Sequence, residues 1–288
     1  MIILDLSQVM IANFMSQIGS HTNLKVEEGL VRHMVLNTIR SLNMKFGKEY
    51  GEMVLAADDR KYWRRDIFPY YKANRKKNRA KSELDWNAIF EALNNIRTEL
   101  KDYLPYRVIL ADGAEADDVI GTLVHKYGKV LVSQSDEKIL ILSGDKDFVQ
   151  LQQYGNVEQY DPVKKKFIKT NSPDKFITEH IIRGDVGDGI PNFLSSDNCF
   201  VVGDRQKPIS TKKLEAWLNM EPEQYCDETM LRNFKRNKQL IDLSLIPDWV
   251  RENVMKEYES QSGKGRQRIF NYFIKYQLKG LMESINDF

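Results

Sequence analysis

The chain has only two cysteines, Cys199 and Cys226, in 288 residues. That is too few for a disulfide framework and points to a reducing interior. It has no run of about 18 apolar residues, which excludes a membrane-spanning helix and, with it, a membrane partner. Its start, Met1-Ile2-Ile3-Leu4-Asp5, lacks a basic segment and meets an acid at once. It therefore reads as a first strand rather than a signal peptide, and a cytoplasmic protein is expected. Internal repeats and low-complexity segments are absent. A hydrophobic content of 42% with 29% charged residues suffices for a globular core and argues against disorder. The length allows one large domain or two of ordinary size.

The net charge of +2 conceals a strong asymmetry. Between Arg60 and Lys81 stand ten Lys or Arg against one acid, Asp66, a net of +9 that leaves the remainder at −7. Aromatic residues Tyr62, Trp63, Phe68, Tyr70 and Tyr71 interleave with this basic strip. Lysine-rich runs are usually solvated faces, but rings among them suit a polyanion whose bases stack while cations follow its backbone. Pro69 makes the segment an irregular arch, about 60–84, rather than one clean helix. Trp63 and Phe68 are the rings expected in the core.

Apolar runs at 1–5, 52–57, 106–110 and 138–142 predict strands. Helical periods at 24–46 (closed by Gly47), 85–103 (capped by Asp85), 115–126 and from about Asp147 alternate with them. This order predicts an α/β fold with a mainly parallel central sheet flanked by helices. After about Thr170 helical periods dominate, at 173–183, 210–219, 221–235, 247–258 and 266–283, and 186–208 reads as loop. The expected division is a catalytic α/β domain over 1–170 and a helical DNA-binding region over 171–288.

Two acidic clusters stand out, Glu115-Ala116-Asp117-Asp118 and Asp145-Lys146-Asp147. Ligand sites in parallel α/β sheets lie at the carboxyl ends of strands. Asp5, Asp58 and Asp145 each end a predicted strand, and the Glu115 cluster follows another, so element order alone gathers carboxylates at one edge. A single Asp at a helix start is ordinarily a cap, so the weight rests on their convergence. Two carboxylates at 4 Å repel by about 4 kcal/mol at an effective dielectric near 20, and cations relieve this. Hard oxygen donors with no His or Cys nearby select Mg²⁺, or Mn²⁺ in its place, over Zn²⁺. Two such ions can activate water and stabilise the leaving oxygen of a phosphodiester. Asp145-x-Asp147 is not a calcium loop, since no Gly or Glu follows at the required offsets.

With these residues laid out, the chain resembles the flap endonuclease or 5′–3′ exonuclease family of structure-specific 5′ nucleases, including its T-even phage branch. The telling blocks are Ile3-Leu4-Asp5-Leu6-Ser7, Tyr62-Trp63-Arg64-Arg65-Asp66, Tyr70-Tyr71-Lys72-Ala73-Asn74-Arg75, Glu115-Ala116-Asp117-Asp118, Ser143-Gly144-Asp145-Lys146-Asp147-Phe148 and Gly184-Asp185-Val186-Gly187-Asp188-Gly189-Ile190-Pro191. The ending, Ser284-Ile285-Asn286-Asp287-Phe288, also resembles that branch. The resemblance implies a PIN-like fold with a helix-turn-helix-like duplex grip. It implies that Asp5, Asp58, Glu115, Asp117 and Asp145 hold a first metal, and that Asp118, Asp147, Asp185 and Asp188 surround a second. From spacing alone, Asp185 and Asp188 would pass for turn residues. It implies that Lys72 and Arg75 approach the scissile phosphate, and that Arg64, Arg65, Tyr71, Lys76 and Lys77 meet nucleic acid. The chain departs from the family after Ile190-Pro191. Where a glycine-rich hairpin is usual, residues 192–208 hold a single glycine, Gly203, with Lys207, Lys212 and Lys213 left to meet duplex phosphates.

The implied activity is removal of RNA primers from RNA–DNA hybrids and of 5′ flaps from branched DNA during phage replication, as a metal-dependent phosphodiesterase with ribonuclease H and flap endonuclease activity. A replication single-strand-binding protein and a sliding clamp are the protein partners that the resemblance adds. The rivals are a toxin-type RNA nuclease or phosphatase on a similar sheet, and a structure-specific DNA-binding protein with weak or no catalysis. The arch opposes the first, because small substrates need no such gate. The full carboxylate set opposes the second.

Overall fold

In a computed structural model, which describes residues 1–18, 27–82, 84–133 and 136–288 without the side chains of 16–18, 76 and 78, six strands form one sheet. These are β1 (Ile2–Asp5), β2 (Met53–Ala56), β3 (Arg107–Ile109), β4 (Ile139–Leu142), β5 (Val157–Asp161) and β6 (Lys166–Ile168). Their order is β3-β2-β1-β4-β5-β6, parallel throughout except for the β5–β6 pair. β1, β2 and β4 are buried at every position, as strands covered on both faces must be. Alternation sorts their side chains. Ile2, Leu4, Leu55, Leu140 and Leu142 face one core, packed by helices Leu6–Ile18, Glu28–Tyr50 and Trp86–Tyr103. Ile3, Val54, Ile109, Ile139 and Ile141 face the other, packed by helices Ala116–Tyr127 and Asp248–Ser260.

The helical half is wrapped around this sheet. Ile269, Tyr272, Phe273, Leu278, Leu281 and Phe288 complete the first core, and Val250 and Val254 the second. A third cluster joins Phe68 and Tyr71 of the arch to Ile181, Ile190, Phe193, Phe234 and Ile241. The expected division at 170 is therefore no seam in the packing: both sheet faces need residues from beyond it.

Several expected elements differ. β5 and β6 form an antiparallel edge hairpin that the sequence reading left out, because Val157–Asp161 carries Glu158 and Gln159 among its apolar residues and Lys166–Ile168 is largely exposed. Gly47 does not close its helix, which continues to Tyr50 and stops at Gly51, whose N–H donates to Gly47 O. Residues 24–26 of that expected period lie outside the described residues. The period at 221–235 is two helices, Pro222–Tyr225 and Glu228–Ile241, separated because Asp227 caps the second by accepting from Met230 N. The helix near Asp147 is a 3₁₀ stretch, Lys146–Gln153. Trp63 and Phe68 are buried, and both cysteines are free. Among the described residues no helix is long and apolar enough to cross a membrane.

Candidate metal centre and nucleic-acid cleft

β1 lies between β2 and β4, so the carboxyl ends of these strands adjoin where the strand order reverses. Asp5 ends β1, Asp58 stands two residues past β2, and Asp145 three residues past β4. Helix Ala116–Tyr127, following β3, brings Asp117 in its first turn. Hydrogen bonds fix three of these groups. Asp5 accepts from Gln8 N at 3.0 Å and Ser143 Oγ at 3.1 Å. Asp58 accepts from Ala116 N at 2.8 Å, and Asp145 from Asp147 N at 3.0 Å.

The carboxylates are close enough to perturb one another. Burial, with Asp58 and Asp145 alongside, pushes the Asp5 carboxyl up to about 7. Burial pushes Asp117 well above the usual range; the Lys72 ammonium opposes this, and Asp145, Glu115 and Asp5 add to it. Burial, then the charges of Asp145, Asp185 and Asp188, does the same to Asp147. One buried and two half-buried carboxyls that resist ionisation call for a cation among them. The oxygen-rich donor set fits a hard divalent ion, and buried Asp147 Oδ1 has no hydrogen-bond partner.

The second carboxylate group is built by glycines. Helix Pro173–Arg183 ends at Gly184, whose φ of 68° no L side chain adopts easily. A Cβ there would meet Ile190 O at 2.4 Å. The loop closes through a bridge between Asp185 and Ile190 and presents Asp185 and Asp188. Burial opposes the Asp185 charge, but hydrogen bonds from His180 and Lys146 hold its pKa well below the usual range.

The arch docks on this loop. Lys72 N donates to Asp188 O at 2.7 Å, Asn74 Nδ2 to Val186 O at 2.7 Å, and Arg75 Nη2 to Asp188 Oδ1 at 2.5 Å. Lys72 Nζ reaches Glu115 Oε1 at 2.6 Å. Burial works against that ammonium, but Glu115 and Asp188 hold its pKa well above the usual lysine range. At Asp58 and Glu115 opens a cleft of about 800 Å³, whose lining also includes Arg60, Tyr62, Arg65, Lys72, Arg75, Arg79 and Arg97. Cations and carboxylates share its wall. A larger hollow of about 970 Å³ beside Lys207 shares no residue with the carboxylate cluster.

Three expected roles are corrected. Arg64 does not face nucleic acid. It is 2% exposed, and its guanidinium donates to Glu115 at 3.0 Å, Asp118 at 2.9 Å and Leu240 O at 2.8 Å. Tyr71 offers no ring to a base: it is buried, and its hydroxyl bonds Glu115 and Asp188, each at 2.9 Å. Tyr62, half-buried with Arg65 4.6 Å over its ring, and Phe90 are the aromatics that line the cleft. Asp118, assigned to the second metal, is fully buried and accepts from Glu115 N, Trp63 Nε1 and Arg64. It caps a helix and anchors Arg64. In all three cases the family resemblance identified the residue but not the direction of its side chain.

Arg65, Lys77, Lys207, Lys212 and Lys213 are exposed, and the side chain of Lys76 lies outside the described residues. The departing loop is closed by side chains in place of glycines. Asn192 accepts from Leu194 N and Ser195 Oγ and donates to Lys207 O, while Ser195 Oγ accepts from Lys207 N. Sequence reasoning missed Arg97, which stands on the polar side of a long helix, and His180. The expectation of no histidine nearby is overturned: His180 is buried between Asp147 and Asp185. Its position, five residues before Asp185 and on the same helix end, was the only signal.

A family model described as "5'-3' exonuclease, N-terminal resolvase-like domain" matches residues 1–180, and one described as "T4 RNase H, C terminal" matches 171–288. The chain is 37% identical over 297 residues to the ribonuclease H of Enterobacteria phage T4, covering 99% of this chain and 95% of that protein. It is 27% identical over 198 residues to a 5'-3' exonuclease of Buchnera aphidicola, covering 66% and 64%. Among solved structures, the D15 flap endonuclease of bacteriophage T5, crystallised with DNA and metal ions, superposes with a TM-score of 0.62 at 17% identity. That match covers 90% of this chain and 97% of the other.

Proposed function

The chain belongs to the 5′–3′ exonuclease family, in the branch that carries the T4 ribonuclease H C-terminal region, and from that premise we propose that it removes RNA primers and 5′ flaps as a Mg²⁺-dependent 5′ nuclease. The observation that carries this reading is the cleft. Its lining sets a row of cations beside the carboxylates Asp58 and Glu115, which is the combination a phosphodiester needs. Arg65, Arg79 and Arg97 attract the single-stranded 5′ end, and Tyr62 stacks on a base. Lys72 and Arg75 turn from Glu115 and Asp188 to the scissile phosphate and neutralise its developing charge.

Asp5, Asp58, Glu115, Asp117 and Asp145 would hold a first divalent ion and Asp147, Asp185 and Asp188 would surround a second, with Mn²⁺ able to replace Mg²⁺. When bound, such ions supply activated water and stabilise the leaving oxygen. Burial around Asp5 and Asp117 keeps bulk water off the ligands. Lys207, Lys212 and Lys213 are offered to duplex phosphates. A single-strand-binding protein and a sliding clamp remain the expected replication partners, and the host cytoplasm the place of action.

The test is cleavage of a 5′-labelled flap and a 5′-labelled RNA primer on DNA, with Mg²⁺, Ca²⁺ or chelator. Short 5′ products in Mg²⁺ alone support the reading. Tight binding without products in any condition returns the protein to a DNA-binding role. Cleavage of free single-stranded RNA alone makes it a toxin-type nuclease.

A further inference from the structure

We propose that His180 is itself a ligand of the divalent ion on the Asp147 side, with Asp185 as the residue that orients it, so that this position is a mixed nitrogen and oxygen site. The inference rests on the metal-dependent reading above. His180 is buried on the last turn of helix Pro173–Arg183. Its Nε2 lies 3.1 Å from Asp185 Oδ2, and its Nδ1 lies 3.4 Å from Asp147 Oδ1. Neither that Nδ1 nor that oxygen has a hydrogen-bond partner, although both are buried.

A neutral imidazole has one N–H. Placed on Nε2, it donates to Asp185, whose charge Lys146 also supports from 2.9 Å. The Nδ1 lone pair then faces the Asp147 oxygen, and two acceptors oppose each other in a buried space. A proton between them would draw the pair to about 2.7–2.9 Å, the usual length of a charge-assisted N–H···O bond. The observed gap is longer than that. The two atoms are therefore not bridged by a proton, and a divalent ion accepting both as donors would satisfy them together. Metal-bound histidines characteristically give their second N–H to a carboxylate, and Asp185 is placed to receive it. An imidazole donor favours Mn²⁺, Co²⁺ or Zn²⁺ over Mg²⁺ relative to an all-oxygen shell.

The test uses Mn²⁺ as the probe on the full chain, read by pulsed electron paramagnetic resonance. Wild type should show modulation from a directly bound ¹⁴N, replaced by a ¹⁵N signal when the protein is made with ¹⁵N-histidine. The signal should vanish in His180→Gln, and one Mn²⁺ site should weaken at least about tenfold. Bound Mn²⁺ without nitrogen modulation in the wild type overturns the proposal, and that measurement needs no variant to fold. Modulation that persists in His180→Gln overturns it as well. A wild-type chain that binds no Mn²⁺ at all would overturn the metal-dependent reading itself, and this proposal with it.

Discussion

Lys72 reaches Glu115 from a strained backbone: its Nζ lies 2.6 Å from Glu115 Oε1, while its own φ is 57°. A lysine in the left-handed region costs on the order of 1 kcal/mol, and it is held there by its N–H bond to Asp188 O. One residue thus ties the arch to a carboxylate from the first half of the chain and to a backbone carbonyl from the second. Strain of this kind collects where a side chain must be aimed.

Replacing Lys72 by Ala should therefore act on chemistry more than on affinity. Loss of one preorganised charge at a developing oxyanion typically costs about 10²–10³ in rate. Single-turnover cleavage of a 5′ flap should fall by that order, while flap binding in Ca²⁺ falls by less than about tenfold, since the other cleft cations remain. Equal losses in both would mean that Lys72 only binds.

Arg64 and Arg65 are neighbours with opposite expected behaviour. Arg64→Ala leaves Glu115 and Asp118 buried beside a lost partner, and breaking such a group costs about 3–5 kcal/mol. Its melting temperature should drop by roughly 2–4 °C for each of those kcal/mol. Arg65→Ala should melt like wild type but bind flap DNA more weakly, with a salt slope shallower by about one ion. For the wild type, about six phosphate contacts imply a loss on the order of a thousandfold between 50 and 200 mM salt. Calorimetry and salt-dependent DNA titrations measure both, and a destabilised Arg65→Ala would contradict its exposed placement.

Asp147→Asn should separate stability from function. Burial and the charges of Asp145, Asp185 and Asp188 disfavour the Asp147 carboxylate, so a neutral amide removes a repulsion. In chelator the variant should be as stable as wild type or gain about 0.5–2 kcal/mol, as changes to strained active sites commonly do. In Mg²⁺ it should lose cleavage and most of the metal-induced rise in melting temperature. A variant that melts earlier in chelator would show that Asp147 stabilises the fold.

The pH dependence has a definite sign. Asp5 titrates near 7 in the fold against 3.8 in the unfolded chain, so between these values the folded state holds the extra proton. Stability in chelator should fall as pH rises through that window, by a few kcal/mol in all, and then level off. Asp117 and Asp147 shift the same way and steepen the trend. Divalent metal favours the ionised carboxyls, so the metal-induced stabilisation should grow with pH across the same window. Melts at about pH 5 and about pH 8, with and without Mg²⁺, test both trends; a chelator curve that rises with pH would refute the assignment.

The sequence by itself determined the parallel sheet, because β1, β2 and β4 are short unbroken apolar runs separated by helical periods. It also determined which carboxylates meet, because Asp5, Asp58 and Asp145 follow strands and a parallel sheet puts those ends on one edge. The Gly184–Ile190 motif was legible only through family resemblance, since Asp185 and Asp188 between glycines look like turn residues. Only the tertiary structure decided where side chains point. Arg64, Tyr71 and Asp118 read as site residues through family resemblance, yet they turn inward because Glu115 needs partners once it is buried. Little beyond its spacing from Asp185 marked His180, because Asp147 and Asp185 close around it only in the fold. The helical half completes both sheet faces for the same reason: burial is settled by surfaces far apart in the chain, which no local pattern records.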